Sequence, residues 1–264
     1  MFDPRDCSPS EAELTVSRLG ASPEVARRLL GLVLGRGEFD PSSWMRDHQI
    51  PRRVCDAVGN LPRLSLDASY RSPTDGFEKL AFRTPDGLKI ETVMIPLLKP
   101  GAVSLCLSSQ VGCAMGCVYC ATARMTRRRN LATWEIIDQV IQARALARSQ
   151  GRRVTGAVFM GMGEPFLNYD RVLNAAELMR CPYGLAIRGK AITISTVGLV
   201  PEIDRFTREG HKFRLSISIG AATDEKRARL VPVAGRTPVR EVIAAARRHA
   251  EDRNDRVMIA YVCV

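Results

Sequence analysis

Val154-Thr-Gly-Ala-Val-Phe-Met160, running straight into Gly161-Met-Gly-Glu-Pro165, is the stretch on which the fold turns. Seven residues rich in apolar and β-branched types, bounded by Arg and Gly, predict a buried strand that ends at a glycine-rich turn. The following residues, with Asn168 read as N-cap and Val172, Leu173, Ala176 and Met179 at helical spacing, predict a helix. The same alternation repeats on both sides. Upstream, Val103–Leu107 reads as a strand, and Thr133 as the cap of a helix carrying Ile136, Ile137, Val140, Ile141 and Ala145. Downstream come strand 191–196, helix 200–208 and strand 213–219. Thr237-Pro238 then opens a helix with Val242, Ile243 and Ala246, and 257–264 reads as a last strand. Five strands joined by four main crossovers predict an α/β fold with a parallel sheet. Right-handed crossovers would curl that sheet into an open barrel.

The first hundred residues read differently. Leu14, Val16, Leu19, Val25, Leu29, Leu30 and Val33 recur at helical spacing, broken near Ala21-Ser22-Pro23, with Ser22 as N-cap and Pro23 at the first helical position. Residues 44–58 add another helix. Strands 79–83 and 88–95 flank Thr84-Pro85-Asp86-Gly87, a turn in which Pro presets φ and Gly accepts positive φ. The expected organisation is a small helical N-terminal accessory domain over 1–75, a β-hairpin and connection over 76–101, and a β/α core over 102–264. The sequence stops inside its fifth strand with no covering helix, so the core is expected to be truncated at the C-terminus.

The chain has 264 residues, 45% hydrophobic and 25% charged, which excludes a disordered, collagen-like or coiled-coil protein. No apolar run reaches the roughly 18 residues of a membrane span. The N-terminus lacks a basic segment followed by an apolar one, so a cytoplasmic location is expected. Charge is less ordinary. The net value is +11, and of the 39 basic residues six are Lys and 33 Arg. Arg binds phosphate bidentately, which favours a polyanionic partner.

Eight cysteines without a secretory signal suggest metal or redox chemistry. Cys7, Cys55, Cys181 and Cys263 are scattered, whereas Cys106, Cys113, Cys117 and Cys120 fall within fifteen residues. Cys113-Ala-Met-Gly-Cys117-Val-Tyr-Cys120 puts three thiolates on one tight loop, enough for three irons of a cubane cluster with the fourth iron open. Structural zinc wants four ligands, usually in two separated pairs, and no second pair exists, so an incomplete zinc knuckle is the weaker alternative. One β/α unit later, Gly161 and Gly163 free the backbone for close approach to a ligand. Glu164 beside them suits an amino group. The cysteine loop, Gly163-Glu164, Ser195 and Ser218 all lie at or after strand C-terminal ends, where sites in β/α barrels assemble.

This constellation resembles the radical S-adenosylmethionine (SAM) superfamily. Cys106-Leu-Ser-Ser-Gln-Val-Gly-Cys113, Arg129-Asn130-Leu131, 160–165 with Leu167-Asn168, Ile194-Ser195-Thr196, Ser218 and 224–232 resemble the ribosomal RNA adenine methyltransferases of the RlmN/Cfr type. The likeness runs from about Glu91 to the end. It implies a partial (β/α)6 radical-SAM barrel, a 4Fe-4S cluster on Cys113, Cys117 and Cys120, and S-adenosylmethionine held by Gly163, Glu164, Ser195 and Ser218-Ile219-Gly220. It further implies Glu91 as an acid/base carboxylate, and Cys106 as the partner of a transient disulfide with a methyl-carrying cysteine. Implied partners are ribosomal RNA, with transfer RNA as an extension, and an electron donor such as flavodoxin or ferredoxin; the expected form is a monomer with no membrane association. The expected reaction is methylation of an adenine of 23S ribosomal RNA, at carbon 2 or carbon 8. The alternatives are another radical SAM activase or maturase, and a non-catalytic iron–sulfur RNA-binding module. Two departures stand out. Gly220 replaces the family's usual His, and the carrier cysteine and a cofactor-contacting Asn of the family lie beyond residue 264, Cys263 being too early to be that carrier.

Basic residues form three groups. Arg124, Arg127, Arg128 and Arg129 follow the cysteine loop, and Lys226, Arg227, Arg229 and Arg236 follow the fourth strand; both groups are placed to hold RNA phosphates. Arg144, Arg148, Arg152 and Arg153 are expected to face solvent elsewhere.

Overall fold

The computed structural model describes residues 2–233 and 236–262. It divides into two compact units, one comprising 1–105, 132–156 and 170–188, the other 106–131, 157–169 and 189–264. Neither unit is a single run of chain, so the division does not follow the three consecutive segments expected from the sequence.

The first unit opens with helices α1 (Pro9–Arg18) and α2 (Pro23–Leu30), a π-helical turn at Gly31–Arg36, then α3 (Pro41–His48) and α4 (Arg52–Val58). Ser8 and Glu11 cap α1 reciprocally, the Ser8 N–H donating to Glu11 Oε2 at 2.7 Å. Ser22 stands at the N-cap of α2, without a side-chain cap bond, and Pro23 is its first helical residue, the positions expected from the sequence. Residues 44–58 make two helices rather than one, because Pro51 blocks continuation. Residues 65–71 form a strand that the sequence reading missed, so the accessory segment is not wholly helical. This β1 (Ser65–Arg71) pairs antiparallel with β2 (Glu78–Arg83), which pairs with β3 (Lys89–Pro96), and β4 (Ala102–Cys106) follows. The Thr84–Gly87 turn forms as expected, with Gly87 at φ +81° and its N–H donating to Thr84 O.

The cysteine segment carries β5 (Gln110–Val111) and β6 (Arg129–Asn130), a two-stranded antiparallel ribbon. Then follow α5 (Thr133–Ser149), β7 (Arg153–Phe159), α6 (Tyr169–Arg180), β8 (Ile192–Thr196), α7 (Val200–Glu209), β9 (Arg214–Ser218), α8 (Asp224–Leu230), α9 (Val239–Arg253) and β10 (Met258–Ala260). In the second unit the residues of β7 from Ala157 on pair parallel with β8, β8 with β9, and β9 with β10. All five expected core strands are present. Their inward side chains, including Phe159, Ile192, Ile194, Leu215 and Ile217, are buried. Met258 and Ile259 of β10 and Tyr261 and Val262 after it are exposed; the strand expected over 257–264 is described as Met258–Ala260, and Cys263 and Val264 lie outside the described residues.

Two cap assignments change. Thr133 is the first helical residue of α5, and Glu135 caps the helix by accepting the Ala132 N–H at 2.8 Å. Asn168 does not cap α6. Its Nδ2 donates to Ser109 O and Leu131 O at 2.8 and 2.9 Å, tying the neck of the cysteine segment to the turn after β7.

Candidate active site

The cysteine loop is built by its neck. Gln110 pairs with Asn130 and Val111 with Arg129, so the chain leaves and returns at one point. Gly112, next to the first cysteine, has φ +65°, and a Cβ there would sit 2.5 Å from Arg127 O. No other residue fits. Beyond it Cys113 is buried and Cys117 and Cys120 are half-buried, all as free thiols. Cys120 N–H donates to Cys117 O at 3.0 Å, a tight turn that brings the thiols together. Cys113 packs with Met115 and Val231, and Cys117 lies against that group. Val118 N–H donates to Leu230 O, so α8 supports the loop from below.

Burial pushes the Cys113 thiol up, with the charges of Glu164 and Cys120 adding to it. Cys117 is pushed up to about 11 by burial, then by Cys113 and Cys120, while a hydrogen bond from the Tyr119 hydroxyl pulls the other way. The three sulfurs therefore share one electrostatic environment. Among the described residues no three Cys, His, Asp or Glu side chains converge where one metal ion would sit. A cubane differs, since each thiolate binds its own iron. Three thiols on one loop without a fourth ligand fit that group, and not a four-ligand zinc site.

The Gly-Glu turn after β7 locks onto the residues just before the loop. Ser109 N–H and Gln110 N–H both donate to Met162 O, Met162 N–H to Ser108 Oγ at 3.1 Å, and Glu164 N–H to Gln110 Oε1 at 2.8 Å. A Cβ on Gly161 would meet Leu107 O at 2.7 Å, and one on Gly163 (φ +105°) would meet Gln110 Cβ at 2.6 Å. Close approach to the protein's own chain is thus one requirement that these glycines meet. Glu164 is buried, with Oε1 accepting Phe166 N–H at 3.0 Å and Oε2 accepting Val197 N–H at 2.9 Å. Burial raises its carboxyl to about 7, against the pull of those two amides.

Through Val197 the network reaches the end of β8. Ser195 and Ser218, on neighbouring strands, place their hydroxyls 3.3 Å apart. Ile219 is buried, and Gly220 takes φ +71° with the Tyr119 hydroxyl 3.5 Å from where a Cβ would stand. Cys106, at the end of β4, is a free, half-buried thiol raised to about 11 by burial. The second unit thus brings together the cysteine loop, Gly163-Glu164, Ser195 and Ser218. Glu91 belongs to the first unit, on β3, where Lys79 Nζ lies 3.0 Å from its carboxylate.

Of the basic groups, Arg124, Arg127 and Arg128 beside the loop are exposed, as are Lys226, Arg229 and Arg236. Arg227 is not: its side chain is fully buried and contacts no solvent-borne phosphate. Sequence reasoning missed this because Arg227 sits in a charge run. The available signal was its place three and four residues before Leu230 and Val231, on the same helix face.

A sequence model of the radical SAM superfamily matches residues 107–263. The chain is 44% identical to a probable RNA methyltransferase of Myxococcus xanthus, over 98% of this chain and 72% of that one. The chain belongs to the radical SAM RNA methyltransferase family. It is also 40% identical to a probable dual-specificity RNA methyltransferase RlmN of Thermobifida fusca, over 98% of this chain and 72% of the relative. The crystal structure of a radical SAM methyltransferase from Sphaerobacter thermophilus superposes with a TM-score of 0.88 at 34% identity, covering 99% of this chain and 76% of that one. The fold is accordingly the partial radical-SAM barrel, and the protein is a methyl-transferring enzyme whose family uses a 4Fe-4S cluster and S-adenosylmethionine. No helix among the described residues is long and apolar enough to cross a membrane.

Proposed function

We propose that this enzyme methylates an adenine of 23S ribosomal RNA, at carbon 2 or carbon 8, and accepts transfer RNA as well. The observation that carries the reading is the three-thiol loop with no fourth ligand among the described residues, joined by hydrogen bonds to the Gly-Glu turn and through it to the end of β8. Cys113, Cys117 and Cys120 would hold the cluster. When bound, that cluster supplies the electron for reductive cleavage of S-adenosylmethionine, and so the radical needed to functionalise an unactivated aromatic carbon.

The chain's own residues set the rest. Gly163 and Glu164 would present backbone carbonyls and a carboxylate edge to the methionyl amine. Both Glu164 oxygens already accept an amide, so the side chain orients the turn as much as it binds. Ser195 and Ser218, 3.3 Å apart, would donate to polar atoms of the cofactor, with Ile219 and Gly220 closing the same wall. Without a ring at position 220, cofactor contact there falls to the backbone. Cys106 would form the transient disulfide, and Glu91 would move the proton as product resolves. The Glu91 carboxylate is 45% exposed and pairs with Lys79, an ion pair of a kind worth only about 0–1 kcal/mol.

The RNA is favoured by charge. Besides the exposed arginines beside the cysteine loop, the first unit gathers Arg27, Arg28, Arg36, Arg144 and Arg148 around an open cavity of about 670 Å³ with His48 and Tyr183. Arg144 and Arg148, expected to face solvent away from the site, line this cavity. A low-potential donor of the flavodoxin or ferredoxin class would deliver electrons to a monomeric enzyme. The test is mass spectrometry of 23S ribosomal RNA and transfer RNA after anaerobic incubation with the reconstituted enzyme, S-adenosylmethionine and reductant. One added methyl on adenine is expected; 5′-deoxyadenosine without methylated RNA would point to another substrate.

A further inference from the structure

Arg227 is a buried cation with no anion paired to it among the described residues. Nη1 donates to Ile219 O and Nη2 to Val197 O, both at 2.6 Å. Its Nε is buried and has no acceptor. Asp224, one turn earlier, uses its Oδ1 to accept Val239 N–H at 2.6 Å. Gly198 beside Arg227 has φ +103°, and a Cβ there would stand 2.7 Å from Val242 Cγ1 and 3.2 Å from Arg227 Nη2. A charge in a protein interior persists only where something compensates it.

What faces Arg227 is the cysteine loop. The Tyr119 hydroxyl bonds the Cys117 sulfur and lies 3.5 Å from where a Cβ on Gly220 would stand, next to the Ile219 carbonyl that Arg227 Nη1 holds. The same helix carries the loop: Val118 is bonded to Leu230 O, and Val231 packs on Cys113 and Met115. In the other direction the guanidinium holds the carbonyls just past Ser195 and Ser218.

We propose that the missing counter-charge of Arg227 is the thiolate-ligated cluster on Cys113, Cys117 and Cys120, and that Arg227 is a positioning residue that raises the reduction potential of that cluster. The proposal rests on the reading of the three thiols as cluster ligands. In the step concerned, a low-potential one-electron donor of the flavodoxin or ferredoxin class is oxidised and the cluster takes up its electron. One negative charge is added, and no bond to the protein forms or breaks. A fixed positive charge in a water-poor setting stabilises that added charge. Burial, charge and hydrogen bonding around a cluster are the levers that set its potential. Arg227 also ties this charge to the strand ends that carry the cofactor-pocket serines.

The experiment is an EPR-monitored redox titration of the anaerobically reconstituted enzyme, without RNA, for wild type, Arg227→Gln, Arg227→Lys and the exposed control Arg229→Gln, with iron measured first. Arg227→Gln should retain iron and titrate at lower potential, by about 59 mV, which corresponds to a tenfold smaller reduced-to-oxidised ratio at fixed poise. Arg227→Lys and Arg229→Gln should stay near wild type. A wild-type potential in Arg227→Gln, or an equal fall in Arg227→Lys, overturns the proposal. If Arg227→Gln holds no iron, the lysine variant decides: full iron at the wild-type potential supports the proposal, and loss of iron or a lowered potential overturns it. Wild-type protein that binds no iron fails the cluster reading itself, before any variant is compared.

Discussion

Asp138 in the first unit and Arg227 in the second are both fully buried charges, and they are treated in opposite ways. Asp138 is saturated. Arg63 Nε lies 2.7 Å away, Leu64 N–H and Gln142 Nε2 each donate at 2.8 Å, and Arg5 Nη1 lies at 3.5 Å. Arg5 is itself sandwiched between Phe39 and Trp134. This carboxylate staples the N-terminus and the segment after α4 to α5, and its chemistry is spent on that. Arg227 has two carbonyls, an idle Nε and no carboxylate. Arg5 too has a buried nitrogen without an acceptor, but it has a carboxylate beside it; a buried charge with an opposite charge is architecture, whereas Arg227 has none among the described residues.

The largest stability effect should come from breaking the staple. Asp138→Ala removes the buried acceptor of Arg63, Leu64 and Gln142, while Arg5 keeps Asp3, and should cost about 3–5 kcal/mol in urea unfolding. Arg227→Met in iron-free protein should cost less, about 1–3 kcal/mol, because two carbonyls lose their donor while an uncompensated charge is removed. Equal losses at the two positions would erase the distinction drawn between them.

Glu164 stands between these cases, saturated by amides but without a cation. Burial raises it from 4.5 to about 7. A carboxyl raised on folding binds more protons in the native state, so its contribution is full below about pH 4.5 and is lost as pH rises through 7. Thermal unfolding of wild type should therefore lose stability between pH 4.5 and 7, and Glu164→Gln should flatten that slope. Glu209 shows saturation nearer the surface. Burial would raise it, but bonds from Tyr169, His211 and Arg205 outweigh burial and hold it at about 2. Its contribution is present above pH 4.5 and fades toward pH 2. Glu209→Gln should remove only a small acid-limb stabilisation, under about 1 kcal/mol for so exposed a group.

These contrasts also mark what the sequence made legible. The β/α succession was readable because each strand and helix carries its own apolar period. Ser22-Pro23 and the Thr84–Gly87 turn were readable because their geometry is local. The short strand β1 was missed: Leu66, Ala68 and Tyr70 do alternate with Asp67, Ser69 and Arg71, but the side chains lie mostly on the surface and lack the apolar run that marked the other strands. Thr133 and Asn168 looked like caps by type, yet a Glu two residues on and carbonyls 37 and 59 positions away claimed those roles. At the site, the cysteines, Glu164, Ser195 and Ser218 could be named because strand ends share one face. Gln110, which fixes the Gly-Glu turn, and Arg227, which bridges two strand ends, act through contacts between distant segments, and composition hides them among ordinary polar residues.

The most direct test of the whole account is iron and acid-labile sulfide per chain after anaerobic reconstitution, for wild type and the Cys113→Ala, Cys117→Ala, Cys120→Ala triple variant. Wild type should carry about four of each, as a 4Fe-4S cluster requires, with broad visible absorbance, and the triple variant none. Cys7→Ala and Cys181→Ala, at thiols outside the loop, should match wild type. Full iron and sulfide in the triple variant would contradict the assignment of the loop, and with it the placement of the active site.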